Sequence, residues 1–95
     1  MKNYETVFIL NPALSEEQVQ KTVDKYEKSL KSNGAKIINK EVWGLKKLAY
    51  TIENKNSGFY NLLEYTAPAD LISSLEVEFT RDETVMRYLT VTLDK

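Results

Sequence analysis

The segment that decides the fold is Trp43-Gly44-Leu45-Lys46-Lys47-Leu48-Ala49-Tyr50. It lies in the middle of a long stretch of extended character, about residues 36–53. A typical strand has about 5–6 residues, and a glycine inside a strand pattern indicates a bulge or a bend. We therefore predict two strand halves around a kink at Gly44. The polar residues 54–58 predict a turn that closes a hairpin, and residues 59–66 predict the next strand.

One strand and one helix are predicted on each side of this hairpin. Residues 3–10 are rich in β-branched and aromatic types and end at a turn signal, Asn11-Pro12. Residues 15–18 fit a capping box, and apolar residues then recur at helical spacing. A second helical pattern begins after Pro68, and residues 85–93 predict the last strand.

The predicted order of elements is strand, helix, strand, strand, helix, strand. Two helical crossovers in this order are typical of a ferredoxin-like α+β fold of the split β-α-β type. Right-handed crossovers place both helices on one face of a four-stranded antiparallel sheet, with the strands in the spatial order four, one, three, two. The chain has 95 residues and no visible linker, so we predict a single domain over residues 1–95.

Cysteine and histidine are both absent from the chain. Their absence excludes disulfides and thiolate nucleophiles, and it removes the commonest metal ligand and the best proton-transfer group near neutral pH. We therefore predict a binding or structural domain, with no enzymatic activity, cofactor or metal ion. The longest apolar run, residues 7–10, is far shorter than the about 20 residues that span a membrane. No signal peptide precedes the first strand, so we expect a cytoplasmic protein without a membrane partner.

The charge of the chain is small but unevenly distributed. The formal net charge is −1, which argues against a strongly basic nucleic-acid-binding protein. Residues 1–50 carry nine lysines and six acidic residues, a net charge of +3, whereas residues 51–95 carry four basic and eight acidic residues, a net charge of −4. This asymmetry is consistent with a basic patch on the surface.

Both faces of the predicted sheet carry apolar residues, although the helices can cover only one face. In the first strand Tyr4, Phe8 and Leu10 alternate with Val7 and Ile9. In the last strand the two alternating sets are Met86 and Tyr88 against Val85, Leu89, Val91 and Leu93. Scattered exposed apolar side chains are normal in globular proteins, but an uncovered apolar face is also typical of a docking surface. The sequence leaves both interpretations open.

The two adjacent lysines, Lys46 and Lys47, are predicted to project to opposite faces of their strand unless a bulge intervenes. That strand is expected at an edge of the sheet, where lysine blocks unwanted pairing with other chains. The alternative role is phosphate contact or the rim of a docking site, with Trp43 and Tyr50 as aromatic anchors of the kind enriched at interfaces.

Two other functions share this order of elements. An RNA-recognition motif stacks bases on aromatic side chains of its first and third strands. Residues 7–11 resemble its first-strand motif, but residues 57–64 match only at Gly58, Phe59 and roughly Leu62. An acylphosphatase-type enzyme needs a backbone anion cradle and a cation, and residues 11–14 contain neither glycine nor a basic residue. Both remain alternatives that the sequence disfavours.

The segment 43–52 resembles the signature of the bacterial small-subunit ribosomal protein six family, which reads Gly, any residue, basic, polar, Leu, Ala, Tyr, any residue, Ile. The opening residues 1–5, the Asn11-Pro12 turn, Pro68 and residues 85–88 agree with the same family. The resemblance implies a structural constituent of the small ribosomal subunit. It also implies binding to 16S ribosomal RNA as a heterodimer with ribosomal protein eighteen of that subunit.

Two sets of residues are the candidates for these contacts. For RNA, where each cation would contact the backbone, we select Lys2, Tyr4, Lys46, Lys47 and Arg87. Core packing is the preferred role of Tyr4. For the protein partner we select Trp43, Leu48, Tyr50 and the open sheet surface around Leu62.

Overall fold

The computed structural model describes residues 2–52 and 55–93. Its elements are β1 (Lys2–Leu10), α1 (Glu16–Ser32), β2 (Lys36–Ile52), β3 (Lys55–Ala67), α2 (Leu71–Arg81) and β4 (Val85–Thr92). The four strands form one antiparallel sheet in the order β2-β3-β1-β4. The predicted ferredoxin-like fold, with its order of strands, is confirmed.

The first helix begins at the predicted capping box. The Ser15 hydroxyl accepts from the backbone N–H of Gln18 at 3.2 Å, and the Gln18 side chain accepts from the backbone N–H of Ser15 at 2.9 Å. These two bonds satisfy N–H groups that the first helical turn leaves unpaired. The second helix begins differently, because Asp70 precedes α2 in a helical conformation and makes no side-chain capping bond.

The core lies between the helices and one face of the sheet. It contains one apolar stripe from each helix and the alternate residues of β1 and β3: Val19, Val23, Tyr26, Leu30, Leu71, Leu75, Phe79, Tyr4, Phe8, Leu10, Leu63 and Tyr65. Phe79 lies at the centre, with its ring 4.6 Å from that of Tyr26 and 5.3 Å from that of Phe8. Both helices therefore cover the same face, and the other face of the sheet, here called the open face, is not covered by them.

The long second strand is continuous rather than divided into two. β2 runs over 17 residues, and its pairing with β3 shifts register between Val42 and Gly44. Gly44 has φ +83°, a backbone conformation that residues with a Cβ rarely adopt. The predicted kink is therefore a β-bulge within one strand. The predicted turn is shorter than expected, because β3 already begins at Lys55, and residues 53 and 54 lie outside the described part.

The last strand differs from the predicted alternation at its first residue. The pairing of β1 with β4 shifts register between Ile9 and Leu10, so that Leu10 pairs with Val85. Val85 therefore lies on the helix side and packs against the core together with Tyr88. Strict alternation along β4 predicted that Val85 and Leu89 share a face. The register shift inserts one extra residue into β4 between Val85 and Arg87, so Val85 lies on the opposite face from Leu89.

Candidate functional site on the open face

Three rows of residues cross the open face from β2 to β4, because the three strand pairings align them. The aromatic row is Gly44, Tyr60, Ile9 and Arg87; the apolar row is Glu41, Leu62, Val7 and Leu89; and the acidic row is Asn39, Glu64, Glu5 and Val91. Successive rows are two residues apart along β1, β3 and β4, which is about 7 Å. The face therefore changes in character along the strands, from the aromatic row to the acidic row, beyond which Thr66 pairs with Asn3 and Lys36.

Trp43 extends the aromatic row at the bulge before Gly44. Its ring stacks beside that of Tyr60, with centroids 6.4 Å apart and planes inclined by 18°. The indole Nε1 donates to Oε1 of Glu41 at 3.2 Å. The Lys46 ammonium lies 5.3 Å from the ring centre, within the range of cation–π attraction. Trp43 as a residue is still 41% exposed, so it is held in place yet remains accessible.

The structure brings only some of the predicted RNA-binding cations together. Lys46 lies beside the aromatic row on one edge strand, and Arg87 ends the same row on the other edge strand. Lys47 follows Lys46 without a register shift and therefore projects to the helix side of the sheet. Lys2 begins β1, seven residues before Ile9, and so lies about 23 Å along the strand from the aromatic row.

The remaining predicted site residues are mostly buried. Tyr4 is 6% exposed and belongs to the core, the role preferred from the sequence. Leu48 and Leu62 are 7% and 6% exposed, so their side chains offer little area to a partner. The side chain of Tyr50 lies outside the described part of the structure. Trp43 is thus the exposed member of the predicted partner-binding set among the described side chains.

Two apolar side chains of β4 are also exposed on this face. Leu89 is 62% exposed and Val91 is 40% exposed, both on β4. Together with Val7 and Ile9, Leu89 lines a shallow cleft of about 220 Å³. The alternation in the last strand already placed Leu89 and Val91 on one side, but their exposure depends on β4 being an edge strand with no further neighbour.

The open face does not match the stacking platform of an RNA-recognition motif. Phe8 and Phe59, the aromatic residues that suggested such a platform, point to the helix side, where Phe8 is fully buried. Their places on the open face are taken by Val7, Ile9 and Tyr60. On the open face β1 and β3 thus present one aromatic side chain, Tyr60, which is too few for the two or three stacked bases of that motif.

A second polar cluster lies where α1 meets the turn between α2 and β4. The Asp82 carboxylate accepts from the Tyr26 hydroxyl at 2.5 Å, from Lys25 Nζ at 2.9 Å, and from the backbone N–H and hydroxyl of Thr84 at 2.9 and 2.6 Å. Burial by itself would raise the pKa of Asp82, but the hydrogen bonds from Thr84, Tyr26 and Lys25 outweigh it and hold the pKa below its usual value. Burial, and next the bond to Asp82, raise the pKa of Tyr26. Every oxygen of this carboxylate has a partner, so we interpret the cluster as a structural link.

Two further observations concern residues 2–52 and 55–93. No group of three acidic side chains there lies close enough together to hold a metal ion. No helix there combines the length and the apolar character that crossing a membrane requires.

Comparison with known proteins identifies similar chains. The small ribosomal subunit protein bS6 of Christiangramia forsetii is 64% identical over all 95 residues of this chain and 85% of its own length. The bS6 proteins of Flavobacterium psychrophilum and Porphyromonas gingivalis are 61% and 55% identical over the whole chain, which covers 84% and 81% of their lengths. The crystal structure of 30S ribosomal protein S6 from Thermotoga maritima superposes with a TM-score of 0.92 at 26% identity, covering 96% of this chain and 86% of that one.

The fold, the open face and these similarities together define a structural protein of the small ribosomal subunit, and not an enzyme. A family model described as Ribosomal protein S6 matches residues 3–92. The chain belongs to the ribosomal protein S6 family. This result confirms the resemblance found in the segment 43–52.

Proposed function

We propose that the chain binds 16S ribosomal RNA together with ribosomal protein eighteen of the small subunit, and that the open face docks the protein partner. The observation that carries this proposal is the exposure of two β4 side chains, Leu89 at the end of the apolar row and Val91 at the end of the acidic row. Contiguous apolar surface of this kind, rimmed by polar residues, is typical of a protein interaction site. Trp43, at the other edge of the face, adds an exposed aromatic anchor.

RNA contact is proposed for the basic end of the sheet. Lys46, Lys47 and Arg87 lie near the same end of the strands and are exposed. They can neutralise phosphates from both sides of the sheet. A chain of net charge −1 gains little RNA affinity from its overall charge, so a partner that supplies further cations is needed for tight binding. Lys2 extends the proposed contact only if the RNA follows the strands to their other end.

Reversing the charge of both lysines tests the RNA contact. We expect Lys46→Glu with Lys47→Glu to weaken binding to a fragment of 16S RNA in the presence of ribosomal protein eighteen. The slope of log affinity against log salt should become shallower by roughly one to two, because each lost phosphate contact removes about 0.7–0.9 from it. Filter binding at several salt concentrations measures both quantities. Omitting ribosomal protein eighteen should weaken binding of the unmodified chain.

A matched control separates this contact from a general effect of charge. Lys28→Glu with Lys31→Glu makes the same charge change on the exposed surface of α1, on the other side of the sheet. The control should retain most of the affinity and the full salt slope. Equal losses in both double variants, or an unchanged slope for the first, would remove Lys46 and Lys47 from the RNA site.

A further inference from the structure

The acidic row contains two carboxylates that directly oppose each other. Glu5 of β1 pairs with Glu64 of β3. Both side chains lie on the open face, because the neighbouring residues Thr6 and Leu63 are buried on the helix side. Directly opposed residues in an antiparallel pair have Cβ atoms about 5 Å apart, and like charges at that distance destabilise the sheet.

Neither carboxylate is compensated within the described part of the chain. No lysine or arginine nitrogen there lies within 4.0 Å of Glu5 or Glu64, and their row neighbours are Asn39 and Val91. The next acid, Glu41, differs in this respect because its carboxylate accepts bonds from Trp43 Nε1 at 3.2 Å and Asn39 Nδ2 at 3.0 Å. The acidic row therefore carries two carboxylates without an ion-pair partner among residues 2–52 and 55–93; the next row holds Lys36, paired with Thr66.

This charge adjoins the exposed apolar surface. Val91 lies beside Glu5 in the acidic row, and Leu89 lies one row away, about 7 Å along β4. A ligand that covers both features must carry apolar side chains and a cation at a matching spacing. RNA does not fit, because its phosphates are repelled by the carboxylates and gain nothing from Leu89 and Val91. A protein segment with arginine or lysine among apolar residues fits both.

We propose that Glu5 and Glu64, together with Leu89 and Val91, form a docking subsite for a cationic side chain flanked by apolar residues on the protein partner. An arginine guanidinium fits this subsite best, because its planar fork of donors can bridge two carboxylates. Its arrival replaces a like-charge repulsion by two charge-assisted bonds. The inference rests on the proposed function, since it assumes the protein partner that binds RNA with this chain.

Neutralising both carboxylates tests the subsite. The probe is purified ribosomal protein eighteen without RNA, titrated calorimetrically into the full chain at several salt concentrations. For Glu5→Gln with Glu64→Gln we expect the dissociation constant to rise roughly tenfold or more and to depend less on salt. The free variant should unfold at the same urea concentration as the unmodified chain or a higher one, because a repulsion has been removed.

The control is Glu16→Gln with Glu83→Gln, which removes two exposed carboxylates at the start of α1 and in the turn before β4. It makes the same charge change outside the open face and should keep the affinity of the unmodified chain. Unchanged affinity and salt dependence for Glu5→Gln with Glu64→Gln would overturn the subsite and leave the proposed function standing. Failure of the unmodified chain to bind ribosomal protein eighteen would overturn both. Tighter RNA binding by that variant, with partner binding unaffected, would assign the face to RNA and overturn the subsite.

Discussion

Replacing Asp82 by asparagine should remove a link that holds α1 against the turn before β4. The carboxylate is 11% exposed and accepts four hydrogen bonds, from Lys25, Tyr26 and Thr84. An asparagine oxygen can keep the two bonds from Thr84, but its amide group then faces the Tyr26 hydroxyl and the Lys25 ammonium. The bond from Lys25, which is 59% exposed, contributes little. Losing the bond from the buried Tyr26 to a charged acceptor leads us to expect a loss of about 2 kcal/mol of stability.

The same variant should change the dependence of stability on pH. Because the pKa of Asp82 is lowered in the folded protein, the unfolded chain binds its proton at higher pH than the folded chain does. Stability therefore rises with pH in this window. The contribution is fully present above the ordinary value of 3.8 and is lost as the pH falls through the lower folded value. Asp82→Asn removes it, so the stability difference between pH 7 and pH 3 should become smaller.

Urea unfolding of the variant at both pH values measures these effects. Glu83→Gln is the matched control, because Glu83 is the exposed neighbour in the same turn, and it should change stability by less than about 0.5 kcal/mol. A stability within that margin for Asp82→Asn, together with an unchanged difference between pH 7 and pH 3, would refute the argument that these hydrogen bonds hold the carboxylate in its charged form.

Two further predictions concern the bulge and the core. Gly44→Ala should cost about 1 kcal/mol in urea unfolding because of the positive φ of +83°, since no atom lies within 4 Å of the added Cβ; Gly44→Asn should cost less, because asparagine tolerates this conformation. Phe79→Ala should cost about 3–5 kcal/mol, because the ring is 1% exposed and packs on three other rings. Val77→Ala, at a 47% exposed position of the same helix, is its control and should stay within about 0.5 kcal/mol. Equal effects of the two substitutions in thermal unfolding would contradict the assigned core.

Local features of the fold could be predicted from the sequence. The capping box at Ser15 and Gln18 depends on groups three residues apart, so its hydrogen bonds are determined within one helical turn. The order of elements followed from periodicity and turn residues, and that order restricts the topology because crossovers are right-handed. The family was also visible in one contiguous segment, residues 43–52, because a signature of adjacent residues requires no knowledge of the fold.

Features that depend on register were not visible in the sequence. Gly44 indicated an irregularity, but only its pairing with β3 shows a bulge in one continuous strand. Val85 lies on the helix side because the pairing of β1 with β4 shifts register between Ile9 and Leu10. The alternation of apolar residues within β4 gives no indication of this shift.

The proposed site depends on tertiary structure even more. By itself, the sequence determined the elements, the fold class and the family, because these follow from residues that are neighbours in the chain. Only the tertiary structure placed Glu5 opposite Glu64 and left Leu89 and Val91 exposed at a sheet edge. The physical reason is that the charge or apolarity of a side chain is a property of the residue itself. Which residue lies opposite it, and how much of it is exposed, depend on which strand, distant in the sequence, pairs with its own strand.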